Sequence, residues 1–246
     1  MATVDYTSGD LSRTTSLPSQ TAFTGILWVY EISNPGLTDW TLISLDNGST
    51  GYLQIGETTT GPSWALWSDG GARQPMISED AALGQWVRVA LVGAPTTSYA
   101  YWQPTGGAFQ SKSIASSTHS PTRLSVNNDG FAAGRLPCAI ARIELYGRAM
   151  VAAEVLARFN APLTAPPPGN GLIFWNANDD PARANIDFSP SRIDLTAAGS
   201  LARSPQMPQQ ATGKQMRRTN RIISQWSAPP PAAGGATDKP NFFLAM

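Results

Sequence analysis

Gln85-Trp-Val-Arg-Val-Ala-Leu-Val92 is the stretch whose reading decides the fold class. Val87, Val89 and Leu91 recur at every second position, with Arg88 set between two valines. That is the period of a β-strand with one face in a core. Working outward, the same pattern returns in Ser98–Trp102, Ser63–Trp67, Tyr52–Ile55, Trp40–Leu45 and Arg123–Val126. Thr24–Ile32 and Ala139–Tyr146 are longer runs of the same kind. Turn signals separate them, among them Asn34-Pro-Gly36, Asp46-Asn-Gly48 and Asp69-Gly-Gly71. Short strands divided by such turns predict an antiparallel sandwich or barrel.

Composition agrees. The chain has 246 residues with 22 Gly and 20 Pro, and only 14% of residues are charged. Glycine supplies positive φ and proline fixes φ in tight turns. Seventeen basic residues balance seventeen acidic ones, so the basic excess of a nucleic-acid binder is missing. The single cysteine, Cys138, excludes an intramolecular disulfide and reads as a buried strand residue. The start of the chain has neither a basic region nor an apolar run, so no signal peptide is expected. No stretch is long and apolar enough to span a membrane as a helix.

One helix is predicted over Ala149–Phe159, with Val151, Val155 and Phe159 on one face. Beyond Pro162 the character changes: a Pro-rich linker comes first, then Leu172–Trp175 and Ile193–Thr196 as two further strand candidates. The expected division is a sandwich over 1–162, a linker with additional edge strands over 163–204, and an extended Pro/Gly-rich arm over 205–246.

Four segments, in order, resemble the laminin G-like domains of the concanavalin A-like lectin/glucanase superfamily. Leu17-Pro-Ser-Gln-Thr-Ala-Phe-Thr-Gly-Ile-Leu-Trp-Val29 is similar to the opening strand of those domains, and Leu83-Gly-Gln-Trp-Val-Arg-Val-Ala90 to a central one. Phe131-Ala-Ala-Gly-Arg-Leu-Pro-Cys138 and Arg142-Ile-Glu-Leu-Tyr-Gly-Arg-Ala-Met-Val151 resemble the closing segments. The resemblance covers roughly residues 10–160. It implies an antiparallel jelly-roll β-sandwich with one short helix, and here a C-terminal arm. Ile173-Phe-Trp-Asn176, with Asp187-Phe-Ser189 and Asp194-Leu-Thr196, resembles a segment that opens such domains, yet stands after the domain. It reads as a permuted edge element for this sandwich or a neighbour's.

The superfamily's glycosidases carry Glu-x-Asp-x-x-Glu on one strand, because alternate residues bring two carboxylates to one side of the scissile bond. Glu31, Glu57, Glu79, Glu144 and Glu154 do not stand in that spacing, and His119 has no credible triad around it. The expectation is therefore that the chain is not an enzyme and needs no cofactor. Asn127, Asn128 and Asp129 offer oxygens that suit calcium, against the reading of a turn needing positive φ. Tyr52, Trp64, Trp67, Tyr101 and Trp102 are the candidates for a sugar-stacking face, against plain core and rim packing. Trp64 and Trp67, three apart, face opposite sides of a regular strand, as do Tyr101 and Trp102. In the arm, Arg217, Arg218, Arg221, Trp226, Phe242 and Phe243 are the expected partner contacts.

Laminin G-like sandwiches with such an arm resemble structural proteins of tailed bacteriophages. The first expectation is a non-enzymatic virion component, a capsid decoration or cement protein that touches the major capsid protein or tail proteins and copies of itself. The alternative is a carbohydrate-binding module that attaches a particle to surface glycan. Neither reading involves a membrane or nucleic acid.

Overall fold

The computed structural model describes residues 3–13, 17, 21–33, 40–47, 53–57, 63–68, 73–115, 121–127, 136–163, 165–177 and 180–204. In chain order the strands are β1 (Thr3–Arg13), β2 (Phe23–Glu31), β3 (Trp40–Asp46), β4 (Leu53–Glu57), β5 (Ser63–Ser68), β6 (Arg73–Ser78), β7 (Trp86–Gly93), β8 (Thr97–Pro104), β9 (Gln110–Ala115), β10 (Arg123–Val126), β11 (Cys138–Tyr146), β12 (Leu172–Asn176) and β13 (Thr196–Ser204). Two helices accompany them, α1 (Glu79–Ala82) and α2 (Ala152–Asn160). No helix among the described residues is long and apolar enough to cross a membrane.

All pairings between these strands are antiparallel, in the order β6-β5-β4-β3-β10-β1-β11-β2-β7-β8-β9. The path folds into two layers at β1, whose first residues pair with β11 and whose last residues pair with β10. One continuous core fills the space between. Leu27 and Val29 of β2, Val87, Val89 and Leu91 of β7, and Trp102 of β8 meet Ile43 and Leu45 of β3, Ile55 of β4, and Trp64 and Leu66 of β5. The layers approach so closely that a Cβ on Gly25 would stand 2.6 Å from Ile43 Cδ1, so a side chain there would have to push the end of Ile43 aside. The fold is thus the antiparallel β-sandwich expected from the alternating pattern.

Three strands escape the sequence reading. β1 and β9 are rich in Ser, Thr and other polar residues, and β6 carries Pro75. Each lacks the apolar alternation that marks a strand with a buried face. β13 also runs Thr196–Ser204, downstream of the expected Ile193–Thr196. The helix starts later than predicted. Val151 is the N-cap with extended φ/ψ and is 63% exposed, so only Val155 and Phe159 of the predicted stripe are buried.

β12 pairs with β11, and β13 with β1, of the same chain. The loop between them is tied down by Asp187, whose Oδ1 accepts from Trp175 N (3.0 Å) and Ser189 N (2.7 Å). Its Oδ2 accepts from Ile193 N and Ser189 Oγ, both at 2.7 Å. Asp194 Oδ1 in turn accepts from Asp187 N at 2.8 Å. Phe188 N donates to Trp175 O, and Ser189 Oγ to Ile173 O, so this loop caps the far edge of β12. The Asp, Ser and Asp of the opening-segment resemblance are these tethers, Asp187 and Ser189 buried and Asp194 exposed.

Candidate functional site

The sandwich has two outer faces. On β11 a bulge between Ile140 and Arg142 sets Arg142 opposite Trp28, after which Arg142, Glu144 and Tyr146 alternate away from the core. Glu144 gathers the Arg142 guanidinium, Arg158 of α2 at 2.8 Å, and the Tyr146 hydroxyl at 2.6 Å. Arg142 also donates to the carbonyl oxygens of Pro162 (3.0 Å), Leu163 (3.2 Å) and Ala165 (2.8 Å). Burial pulls the Arg142 guanidinium below its usual value, against the raising effect of Glu144. Arg158 is less enclosed: burial is the largest single influence and lowers it too, but the bond to Glu144, the charge of Glu144 and the neighbouring Tyr146 together outweigh that and raise it. Burial and then Glu144 push Tyr146 well up. Around the cluster, Phe159 and Val155 of α2 pack on Ile26, Val92 and Tyr101. This face is roofed by the helix and its following loop.

The other outer face belongs to β10, β3, β4, β5 and β6. The registers Ser125↔Ser44, Ser44↔Gln54, Gln54↔Trp67 and Trp67↔Arg73 set five side chains in one row across five strands. At about 4.8 Å per strand the row is about 19 Å long, longer than one pyranose ring. Its inner members are enclosed; Ser44 and Ser125 are buried, and Gln54 is 7% exposed. Beside them Asp46 is fully buried, accepting from Arg123 Nε at 2.7 Å and Ser44 Oγ at 3.0 Å. The accessible end is the β5–β6 hairpin, where Trp67 and Arg73 are both half-buried. The Arg73 guanidinium carbon lies 5.9 Å from the Trp67 ring centroid. The Trp67 indole Nε1 has no hydrogen-bond partner among the described residues.

Of the sugar-stacking candidates among the described residues, Trp67 alone is placed where a ring could stack. Trp64 is fully buried, donates to Glu31 Oε2 at 3.1 Å and meets Trp40 edge-on. Trp102 is 2% exposed in the same core. Both are corrected to core residues, as the odd spacing from Trp67 and Tyr101 requires. Tyr101 points outward but lies under Phe109, whose parallel ring is 5.4 Å away and itself rests on Phe159. Tyr52 lies outside the described residues, as do Asn128 and Asp129. Asn127 takes φ +61°, the conformation of a turn. Its Oδ1 accepts from Leu136 N at 3.0 Å and its Nδ2 donates to Tyr6 O at 2.9 Å, so its amide clamps β1 to the approach to β11 rather than facing an ion. Among the described residues no group of three metal-ligating side chains forms. Arg217, Arg218, Arg221, Trp226, Phe242 and Phe243 also lie outside the described residues. Cys138 is buried, and burial, Asp5 and Glu31 together raise its thiol well above the usual value.

Arg73 and Gln54 were missed by the sequence reading. The signal for Arg73 was present: counting outward from Asp69-Gly70-Gly71 pairs position 67 with 73. Pro75 hid the strand that makes this pairing.

No family model and no curated protein sequence matches the chain. Solved structures do. Full-length tailspike protein 2 from Escherichia coli O157:H7 bacteriophage CAB120 aligns with a TM-score of 0.52 at 15% identity, over 69% of this chain and 25% of that one. A putative carbohydrate binding protein from Bacteroides ovatus aligns at 0.55 and 13% identity, over 85% of this chain and 61% of that one. The enzymatically active domain of tailspike protein 2 from bacteriophage CBA120 aligns at 0.51 and 14% identity, over 69% of this chain and 28% of that one. The chain therefore spans less than two thirds of each of these proteins. This last likeness overturns the expectation that the chain is not an enzyme, which rested on a missing carboxylate pattern and a missing triad: the same fold occurs in an enzymatically active domain. What the likenesses establish is the architecture, an antiparallel β-sandwich.

Proposed function

We propose that this chain is a virion-associated, glycan-binding β-sandwich that helps a bacteriophage engage carbohydrate on its host. The observation that carries the reading is the outer row ending in Trp67. A half-exposed indole stands at the accessible end of a polar row, with a ring for the apolar side of a pyranose. A tailspike and a carbohydrate binding protein with the same fold lend support. Attachment to glycan now leads the capsid-decoration reading, for which neither of those two proteins speaks. Residues 205–246 are proposed as an arm that contacts neighbouring virion subunits, through Arg217, Arg218, Arg221, Trp226, Phe242 and Phe243.

A glycan array tests the site. The full chain should bind a restricted set of oligosaccharides, and Trp67→Ala should lose them all. A blank array, or binding unchanged in Trp67→Ala, would sink the reading. The arm is tested separately by deleting 205–246: glycan binding should persist while incorporation into particles is lost.

A further inference from the structure

At the margin of the roof, the first outer face carries a cation that meets no acid. The registers Trp28↔Arg88 and Arg88↔Gln103 set three outward side chains in a row across β2, β7 and β8. These strands and the turns that join β7 to β8 and β8 to β9 are described throughout. The Arg88 guanidinium carbon is 4.4 Å from the Trp28 ring centroid, and Nη1 donates to Gln103 Oε1 at 3.1 Å. Gln103 is itself oriented, because its Nε2 donates to Gly107 O at 3.3 Å. The half-buried guanidinium is thus held by a ring and a neutral amide. Arg123, Arg142, Arg148 and Arg158 each meet a carboxylate, whereas Arg88 meets none among the described residues. Burial pulls Arg88 below its usual value, with no acid to offset the effect. A charge enclosed without a counter-charge is unfavourable, and a partner that brings one relieves it.

The surround is apolar. Trp86 meets the half-buried Tyr30 with ring centroids 5.6 Å apart. Two of the three large apolar residues exposed among the described ones, Ile32 (36%) and Leu83 (40%), stand at the Glu31↔Leu83 bridge just beyond. Tyr, Trp and Arg beside exposed aliphatic side chains are the composition of a protein–protein contact. A sugar is poorly served here. Trp28 and Trp86 are only 4% and 6% exposed, so neither offers an open indole face, and the Gln103 amide is used at both its oxygen and its nitrogen.

We propose that this surface docks another polypeptide through an Asp or Glu side chain flanked by an apolar residue. The carboxylate takes the N–H groups of Arg88 that Gln103 does not use, in the paired geometry a guanidinium favours. Its apolar neighbour lies on Tyr30 and Leu83. Trp28 and Gln103 fix the guanidinium before the partner arrives, so binding does not have to order it. The surface is separate from Trp67, which belongs to the other layer.

The probe is a yeast-displayed library of random dodecapeptides selected on the full chain. Enriched peptides should carry Asp or Glu next to Phe, Tyr, Leu or Ile. For a synthetic copy of the strongest, replacing its acid by the amide, or Arg88→Gln in the chain, should each weaken binding about tenfold. Made together, the two changes should weaken it little more than either alone, a coupling that a merely structural role for Arg88 would not produce. Leu83→Ser should weaken binding less, raised salt should weaken it, and Trp67→Ala should leave it unchanged. Melting curves of Arg88→Gln matching the wild type exclude misfolding; if that variant melts early, Arg88→Lys, which should keep part of the affinity, carries the same cycle. An empty selection, enriched peptides without an acid, or peptides that bind Arg88→Gln as tightly as the wild type overturn the proposal. A dimer in light scattering that Arg88→Gln dissociates also overturns it, because the surface then closes on a second copy. So does a glycan profile lost in Arg88→Gln, which would make this a saccharide site. The reading at Trp67 stands or falls on its own array.

Discussion

On β11, Arg142, Glu144 and Tyr146 point away from the core and are roofed; on β5, Trp67 points away from the core and its ring stays half-exposed. Both sets of side chains stand on outer faces by the same alternation of the strand. The difference lies in what crosses over them. Glu144 draws Arg158 down from α2, and Arg142 holds three carbonyl groups of the segment that follows the helix. The charged side chains of that face are consumed in fastening a cover. On the opposite face the buried Asp46 pairs with Arg123 and joins two adjacent strands of the same layer, and the hairpin end beyond it carries Trp67 and Arg73. One face is structure where the roof crosses it, and the other carries the proposed recognition site.

The largest effect should come from breaking the fastening. Glu144→Gln leaves two guanidinium groups without their shared carboxylate in an enclosed site, and should cost about 3–5 kcal/mol in urea unfolding. A loss below about 1 kcal/mol would mean that Phe159 and Val155 hold the helix in place by apolar contact alone. Trp102→Ala should cost a similar amount, about 3–5 kcal/mol, because it empties a large site in the continuous core. A near-neutral result there would break the assignment of Trp102 to the core.

How far the sequence foretold this contrast varies by region. Wherever alternation buries one face, as in Trp86–Val92 or Ser63–Trp67, the strand and the inward side chains were legible. The opposed fates of Trp64 and Trp67 followed from their spacing alone. Legibility stopped at the edges. β9 buries only Ile114, and β6 interrupts its pattern with a proline, so neither strand announced itself, and with β6 the partner of Trp67 was lost. The roof over the first face was also invisible. It depends on a bulge in β11 that no period reveals, and on Arg142 reaching across some twenty residues of chain to bare carbonyl groups. Tyr101 looked like a surface aromatic for that reason: the sequence sets its strand face but not the Phe109 ring that covers it.

The roofed face should also reveal itself at high pH. Burial first, and the Glu144 carboxylate second, hold the Tyr146 hydroxyl above the ordinary tyrosine value of about 10. The unfolded chain ionises this phenol near that pH while the folded chain keeps its proton. Its stabilising contribution is therefore complete below about pH 10 and declines as pH rises beyond it. Wild type should lose stability relative to Tyr146→Phe by up to about 1.4 kcal/mol per pH unit in that range. Parallel stability curves for the two proteins between pH 9 and 11 would show that water reaches the phenol, and the roof would not be closed.

The smallest change in stability is expected where the largest change in binding is. Trp67 contributes a half-exposed ring and one cation–π contact to Arg73, a type of contact worth about 0.5–1 kcal/mol at such a site. Its indole N–H has no partner among the described residues to leave stranded. Trp67→Ala should therefore unfold within about 1 kcal/mol of the wild type, while the same variant loses its oligosaccharides. If the substitution instead cost as much as Trp102→Ala, the ring would be serving as packing. The open face would then be a second structural surface, and any loss of glycan binding in this variant would report damage to the sandwich rather than the removal of a platform.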